Sequence, residues 1–226
     1  MFPMLVGGEA VTRHNRIRWL ILIMAGLLLL SGCSEEPEET TGSTDNFGGL
    51  VCLEYSRFSG SFPEDGSGRE VTDVAAMLVY NSSSEFLDYA TVECSIGSST
   101  GTFQITGLPP GATAWVLEQD ARTVSDGDTF TARTCEQYAY RSDAVMSTEL
   151  LSVEPDGSTL TVKNVSDKTL ENVCVYYKSL HSDGHYFGGI CYMLNFGTLD
   201  PGESAQKQSS HFGSDSKIVR YSFQES

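Results

Sequence analysis

The chain has 226 residues and a formal net charge of −16, with 14 Lys plus Arg against 30 Asp plus Glu. That balance excludes a nucleic-acid binder, which needs a basic patch to displace counterions from phosphates. It also excludes electrostatic attachment to anionic lipid, so membrane association must have another source.

The first element is a leader. Arg13, Arg16 and Arg18 precede an apolar run over residues 19–30. A helix of that length spans roughly 18 Å, well short of a ~30 Å hydrocarbon core. A basic flank before so short a run is the pattern of an export signal. The string Leu30-Ser31-Gly32-Cys33 follows. Its small residues can enter a peptidase cleft in extended form, and its thiol can accept a thioether-linked lipid. The string resembles the lipobox of bacterial lipoproteins. The resemblance implies that residues 1–32 are a signal peptide, cleaved between Gly32 and Cys33. It further implies a diacylglycerol and an N-acyl group such as palmitate on Cys33, the one cofactor-like group expected. The protein would then sit at the cell membrane or outer membrane, facing outside the cytoplasm. Each buried CH₂ contributes ~0.8 kcal/mol, so two or three acyl chains give stable anchoring.

Residues 33–46 are expected to form the lipidated cysteine and a disordered linker, because residues 34–46 are acidic, Ser/Thr-rich and lack large apolar side chains. From Phe47 onward the texture is all-β. Short alternating apolar runs are separated by turn strings such as PEDGSG (63–68), LPPG (108–111), EPDG (154–157) and LDPG (199–202). One hairpin is predicted in detail. An Asp156-Gly157 turn sets Val153 opposite Leu160 and Leu151 opposite Val162, all on one face.

The chain repeats itself. Residues 78–92 align with residues 161–175, matching Asn81 to Asn164, Leu87 to Leu170 and Val92 to Val175. Leu108-Pro109-Pro110-Gly111 then aligns with Leu199-Asp200-Pro201-Gly202, and the second copy carries extra residues around HSDGHYFGG. One strand order used twice implies two domains of one fold, a first at 47–143 and a second at 147–226. Each is long enough for a seven-stranded sandwich. The string VKNVSDKTLENVCVYY with LDPGES resembles the small immunoglobulin-like domains of bacterial cell-surface lipoproteins, including the FxLYD type. The fold this implies is all-β, two tandem immunoglobulin-like β-sandwiches. Such domains are usually taken as interaction modules, so the resemblance implies no reaction.

Candidate sites follow. Five cysteines lie beyond Cys33, so pairing within one chain leaves at least one over. A hairpin centred on Ser182-Asp183 would bring Cys174 opposite Cys191 as a disulfide; transferring the first copy's turn would separate them. No pair can be chosen among Cys52, Cys94 and Cys135. His181, Asp183 and His185 could hold Zn²⁺ or Cu²⁺, against the favoured alternative of an exposed polar turn. Gly97-Ser98-Ser99-Thr100-Gly101 fits a hydrolase elbow by pattern but sits between two strands, where a hairpin turn is expected. Asp126-Gly127-Asp128 and Glu64-Asp65-Gly66 lack the remaining calcium ligands and read as turns. Asn81 and Asn164 should hold turns by bonding their own backbone. Trp115 is expected in the core. Tyr186 and Phe187, in the second copy's extended hairpin (179–189), are the expected partner contacts. No catalytic residue is identified; His211 would need a serine and a carboxylate beside it. The function expected is that of a non-enzymatic interaction or adhesion module with a protein or glycan partner. The alternative is a glycan- or metal-binding envelope lipoprotein.

Overall fold

The computed structural model describes residues 45–142 and 148–226. The signal peptide, Gly32 and Cys33, and the expected domain boundary at 143–147 lie outside the described residues. Every regular element among those described is a strand.

The first half contains β1 (Asn46–Phe47), β2 (Leu50–Phe62), β3 (Arg69–Asn81), β4 (Phe86–Ile96), β5 (Ser99–Leu108), β6 (Thr113–Leu117) and β7 (Phe130–Arg141). β1, β2, β3 and β6 lie in one sheet, and β5, β4 and β7 in that order form a second. Alternation sends Cys52, Met77, Val79 and Val116 from the first sheet, and Val92, Cys94, Phe103 and Ile105 from the second, into one buried core. The second half contains β8 (Leu151–Asp156), β9 (Thr159–Asn164), β10 (Leu170–Ser179), β11 (Tyr186–Phe187), β12 (Tyr192–Leu199), β13 (Ser204–Gln208) and β14 (Ser216–Glu225). Its sheets run β13-β9-β8 and β12-β10-β14, and they enclose a separate core around Leu160, Val162, Val173, Val175 and Tyr177.

With β1 and β11 set aside, the halves have the same order. β2-β3-β6 corresponds to β8-β9-β13, and β5-β4-β7 to β12-β10-β14. The order the two halves share thus has six strands in two sheets, and β1 adds a seventh to the first half. Both lie within a single compact unit.

The repeat extends to hydrogen bonds. Asn81 and Asn164 are fully buried. Asn81 Nδ2 donates to the carbonyls of Glu85 (2.9 Å) and Leu108 (3.0 Å), and Asn164 Nδ2 to those of Lys168 (2.7 Å) and Leu199 (2.9 Å). Each Oδ1 accepts from the amide and hydroxyl of the serine two residues on, Ser83 or Ser166. One side chain thereby closes its own turn and ties it to the later strand end, which is the structural role expected of both.

Two local expectations are corrected. The β8–β9 register pairs Val153 with Val162 and Asp156 with Thr159, so the turn is Gly157-Ser158, with Gly157 at φ 58°. Glycine at the first central position of a two-residue loop suits the II′ type. The slip is two residues, which preserves the inward face, so Leu151, Leu160 and Val162 are still buried. At the N-terminal end, Asn46 pairs with Val51 and the Asp45 carbonyl accepts from the Cys52 amide at 2.8 Å, so the fold takes in residues assigned to the linker.

Candidate functional site

The site is the seam between the sandwiches. Alternation along β10 sends Val173, Val175 and Tyr177 into the second core. Tyr176 and Lys178 therefore point away from that core. Lys178 is nevertheless completely buried. Its ammonium donates to the carbonyls of Thr106 (2.6 Å), Gly188 (2.9 Å) and Ile190 (2.8 Å), which uses all three protons. Thr106 belongs to the first sandwich, so this lysine spans the junction.

Glu64, in the β2–β3 turn, supplies opposite charge. Its Oε1 accepts from the amides of Leu117 (3.2 Å) and Gly189 (3.3 Å). Burial pushes the Glu64 carboxyl well above the usual carboxylate range, against the opposing pull of those amides and of Lys178. Burial likewise lowers Lys178, opposed by Cys191 and Glu64. On the neighbouring strand β14, Arg220 lies 4.0 Å over the Tyr176 ring and 3.6 Å from the Asp88 carboxylate, again joining the two halves.

The extra residues of the second copy form a clasp, residues 180–191. β11 within it pairs in parallel with β6, Tyr186 with Ala114 and Phe187 with Trp115, extending the first sandwich's sheet. The Gly188 amide donates to Trp115 O at 2.6 Å, and Thr106 bonds the clasp twice, through its amide to Gly188 O and its hydroxyl to Gly189 O. The two glycines are needed for room. A Cβ on Gly188 would sit 2.5 Å from Val116 Cγ2, and one on Gly189 would overlap the Glu64 carboxylate.

This arrangement explains where the predicted site residues go. Trp115 is half-buried on the face of its sheet opposite the main core, packed against a smaller buried cluster of Phe62, Val74, Ala76 and Leu117, and its indole donates to Asp183 Oδ2 at 2.8 Å. His185 Nδ1 bonds the Thr113 hydroxyl, and the His185 amide donates to Asp183 Oδ1 at 3.0 Å. His181 Nδ1 lies 3.0 Å from Asp183 Oδ2. Burial opposes ionisation of Asp183, but these donors outweigh it and hold its carboxyl at about 2. His181, Asp183 and His185 therefore anchor the clasp rather than converge on one point. No cluster of three His, Cys, Asp or Glu side chains with metal-binding geometry occurs among the described residues. Tyr186 and Phe187 are half-buried: Tyr186 packs on the first sandwich's core, and Phe187 lines the groove beside the clasp. The hairpin register that would join Cys174 to Cys191 is also corrected. Cys174 stands opposite Asn195, four positions further on, both thiols are free, and Cys191 lies against Gly107.

The clasp leaves a groove of about 400 Å³ beside it. The β2–β3 hairpin contributes Phe58, Ser59 and Ser61; the second half contributes His181, Phe187, Tyr192 and His211. Phe58 and Phe187 meet edge to face at 5.9 Å and 90°. Tyr192 is stacked between Tyr177 (5.3 Å, 19°) and His211 (4.7 Å, 10°). His211 is thus stacked on Tyr192 while remaining exposed at the groove. Neither this groove nor Lys178 was singled out from the sequence. The available signals were a lysine ending a strand of core residues and a Gly-Gly pair inside an insertion.

No family model matches the chain, and no curated protein matches it.

Proposed function

We propose that this protein is a lipid-anchored component of the bacterial cell envelope that works by binding rather than by catalysis. Acylated Cys33 holds it in the membrane, and residues 34–44 give it reach. Two tandem immunoglobulin-like sandwiches, fixed to each other by the clasp, present the groove between them. The lipobox resemblance supports the anchor, and the repeated strand order supports the tandem-domain reading. The recognition role rests on one observation: the groove's walls come from both sandwiches and from the clasp. A surface built across a fixed seam is pre-organised, which lowers the entropy lost on binding.

The test is photo-cross-linking in intact cells. A photoreactive residue replaces Ser61 in the groove or, as a control, Lys207 on exposed β13. The proposal expects adducts from position 61 in the membrane-anchored protein, few from position 207, and loss of the adducts in a Cys33→Ala form. Equal adducts from both positions, or none from position 61 in a membrane-bound protein, would contradict it.

A further inference from the structure

We infer that the ligand of this groove is a neutral carbohydrate, an inference that rests on the groove being the binding surface. Charge narrows the ligand first. The lining contains no Lys or Arg and includes the Asp215 carboxylate, and the chain carries −16, so an anionic ligand is disfavoured. The ring geometry narrows it further. The Tyr177–Tyr192–His211 stack is parallel to within 19° at each step, and its outermost member, His211, is exposed. A flat, pre-stacked ring offers a platform for the C–H face of a pyranose, with little side-chain entropy left to lose.

The polar lining holds the hydroxyls of Ser59, Ser61 and Ser179 and one carboxylate, Asp215. Ser61 already donates to the Gly68 carbonyl and Ser59 already accepts from the Asp73 amide, which leaves acceptor capacity on the first and a proton on the second. Three hydroxyls beside a single carboxylate favour a sugar, whose hydroxyls both donate and accept, over an organic cation, which calls for acceptors alone. The volume, about 400 Å³, lies within the range of small-ligand sites.

The experiment uses the full acylated protein in a detergent without a sugar headgroup. Binding of maltotetraose, cellotetraose and chitotetraose is measured by calorimetry and saturation-transfer NMR, with choline and inorganic phosphate as contrasting probes. At least one neutral tetrasaccharide should bind. His211→Ala should weaken it by about tenfold, the upper end for loss of a stacked ring, and His211→Phe should retain most of it. Thermal unfolding of both variants confirms that they fold. Binding of choline or phosphate but of no tetrasaccharide would overturn the inference, as would binding unchanged by both His211→Ala and Phe58→Ala. If groove cross-linking persists while tetrasaccharides fail, the carbohydrate assignment alone falls. If cross-linking also fails, the binding role falls with it.

Discussion

Replacing Lys178 with methionine tests the seam at its centre. The substitution keeps an unbranched apolar stem, one atom shorter, and removes the ammonium. The carbonyls of Thr106, Gly188 and Ile190 lose a charged donor, and the enclosed Glu64 carboxylate loses its neighbouring positive charge. Removing one member of a buried charged group costs about 3–5 kcal/mol, because what remains is buried without compensation. Glu64 has an escape, since it can take up a proton, so the lower part of that range is expected near neutral pH. The decisive comparison is a double-mutant cycle by denaturant unfolding of wild type, Lys178→Met, Glu64→Gln and the double variant. Once Lys178 is gone, neutralising Glu64 removes an uncompensated charge. The double variant should therefore be less destabilised than the two single changes added together, with coupling of roughly 0.5–3 kcal/mol. A Lys178→Met protein within about 0.5 kcal/mol of wild type, the range of an ordinary surface substitution, would refute the reasoning, as would strict additivity.

The pair also predicts a pH signature. The folded Glu64 keeps a proton that the unfolded chain releases above about 4.5, so its stabilising contribution is full below that pH and is lost as pH rises through the raised value. Lys178 is shifted the other way, so its contribution grows as pH climbs from the lowered value towards 10.5. Relative to the Lys178→Met/Glu64→Gln variant, wild-type stability should dip around neutrality, and a pH-independent difference would contradict this. Asn81→Ala and Asn164→Ala should each cost about 3 kcal/mol in chemical unfolding, since each leaves buried carbonyls and a serine amide without partners; a cost below ~1 kcal/mol for either would count against the shared motif. Gly188→Ala forces a methyl against Val116 and should cost about 1–3 kcal/mol. Hydrogen exchange should then quicken at residues 180–191 and at β6 while the second core stays protected; unchanged exchange would show that the clasp tolerates the methyl.

Much of the fold was legible in the sequence because its cues are local. Alternation marked the strands, and Gly, Pro and Asp clusters marked the turns. The matched Asn81 and Asn164 exposed the repeat because an Asn-x-Ser turn needs only its own neighbours. The β8–β9 register was missed by two residues because Asp156-Gly157 and Gly157-Ser158 both satisfy a two-residue turn and give the same inward face. The seam was not legible. β11 pairs in parallel with β6 from about 70 residues away in the chain, and two residues carry no periodicity to announce it. Trp115 illustrates the limit. Alternation places it opposite Ala114 and Val116, yet either face could be the core until the clasp is seen to cover the other. His181, Asp183 and His185 were noticed as a chemical group, but their partners, Trp115 and Thr113, lie in the other sandwich.

The anchor is tested most directly by the intact mass of the protein purified from the membrane fraction of its native host. The account predicts a polypeptide beginning at Cys33 that carries a diacylglycerol, with or without an added N-acyl chain, and Cys33→Ala protein of unprocessed, unlipidated mass. A wild-type mass equal to the unmodified chain from its initiating methionine would contradict it.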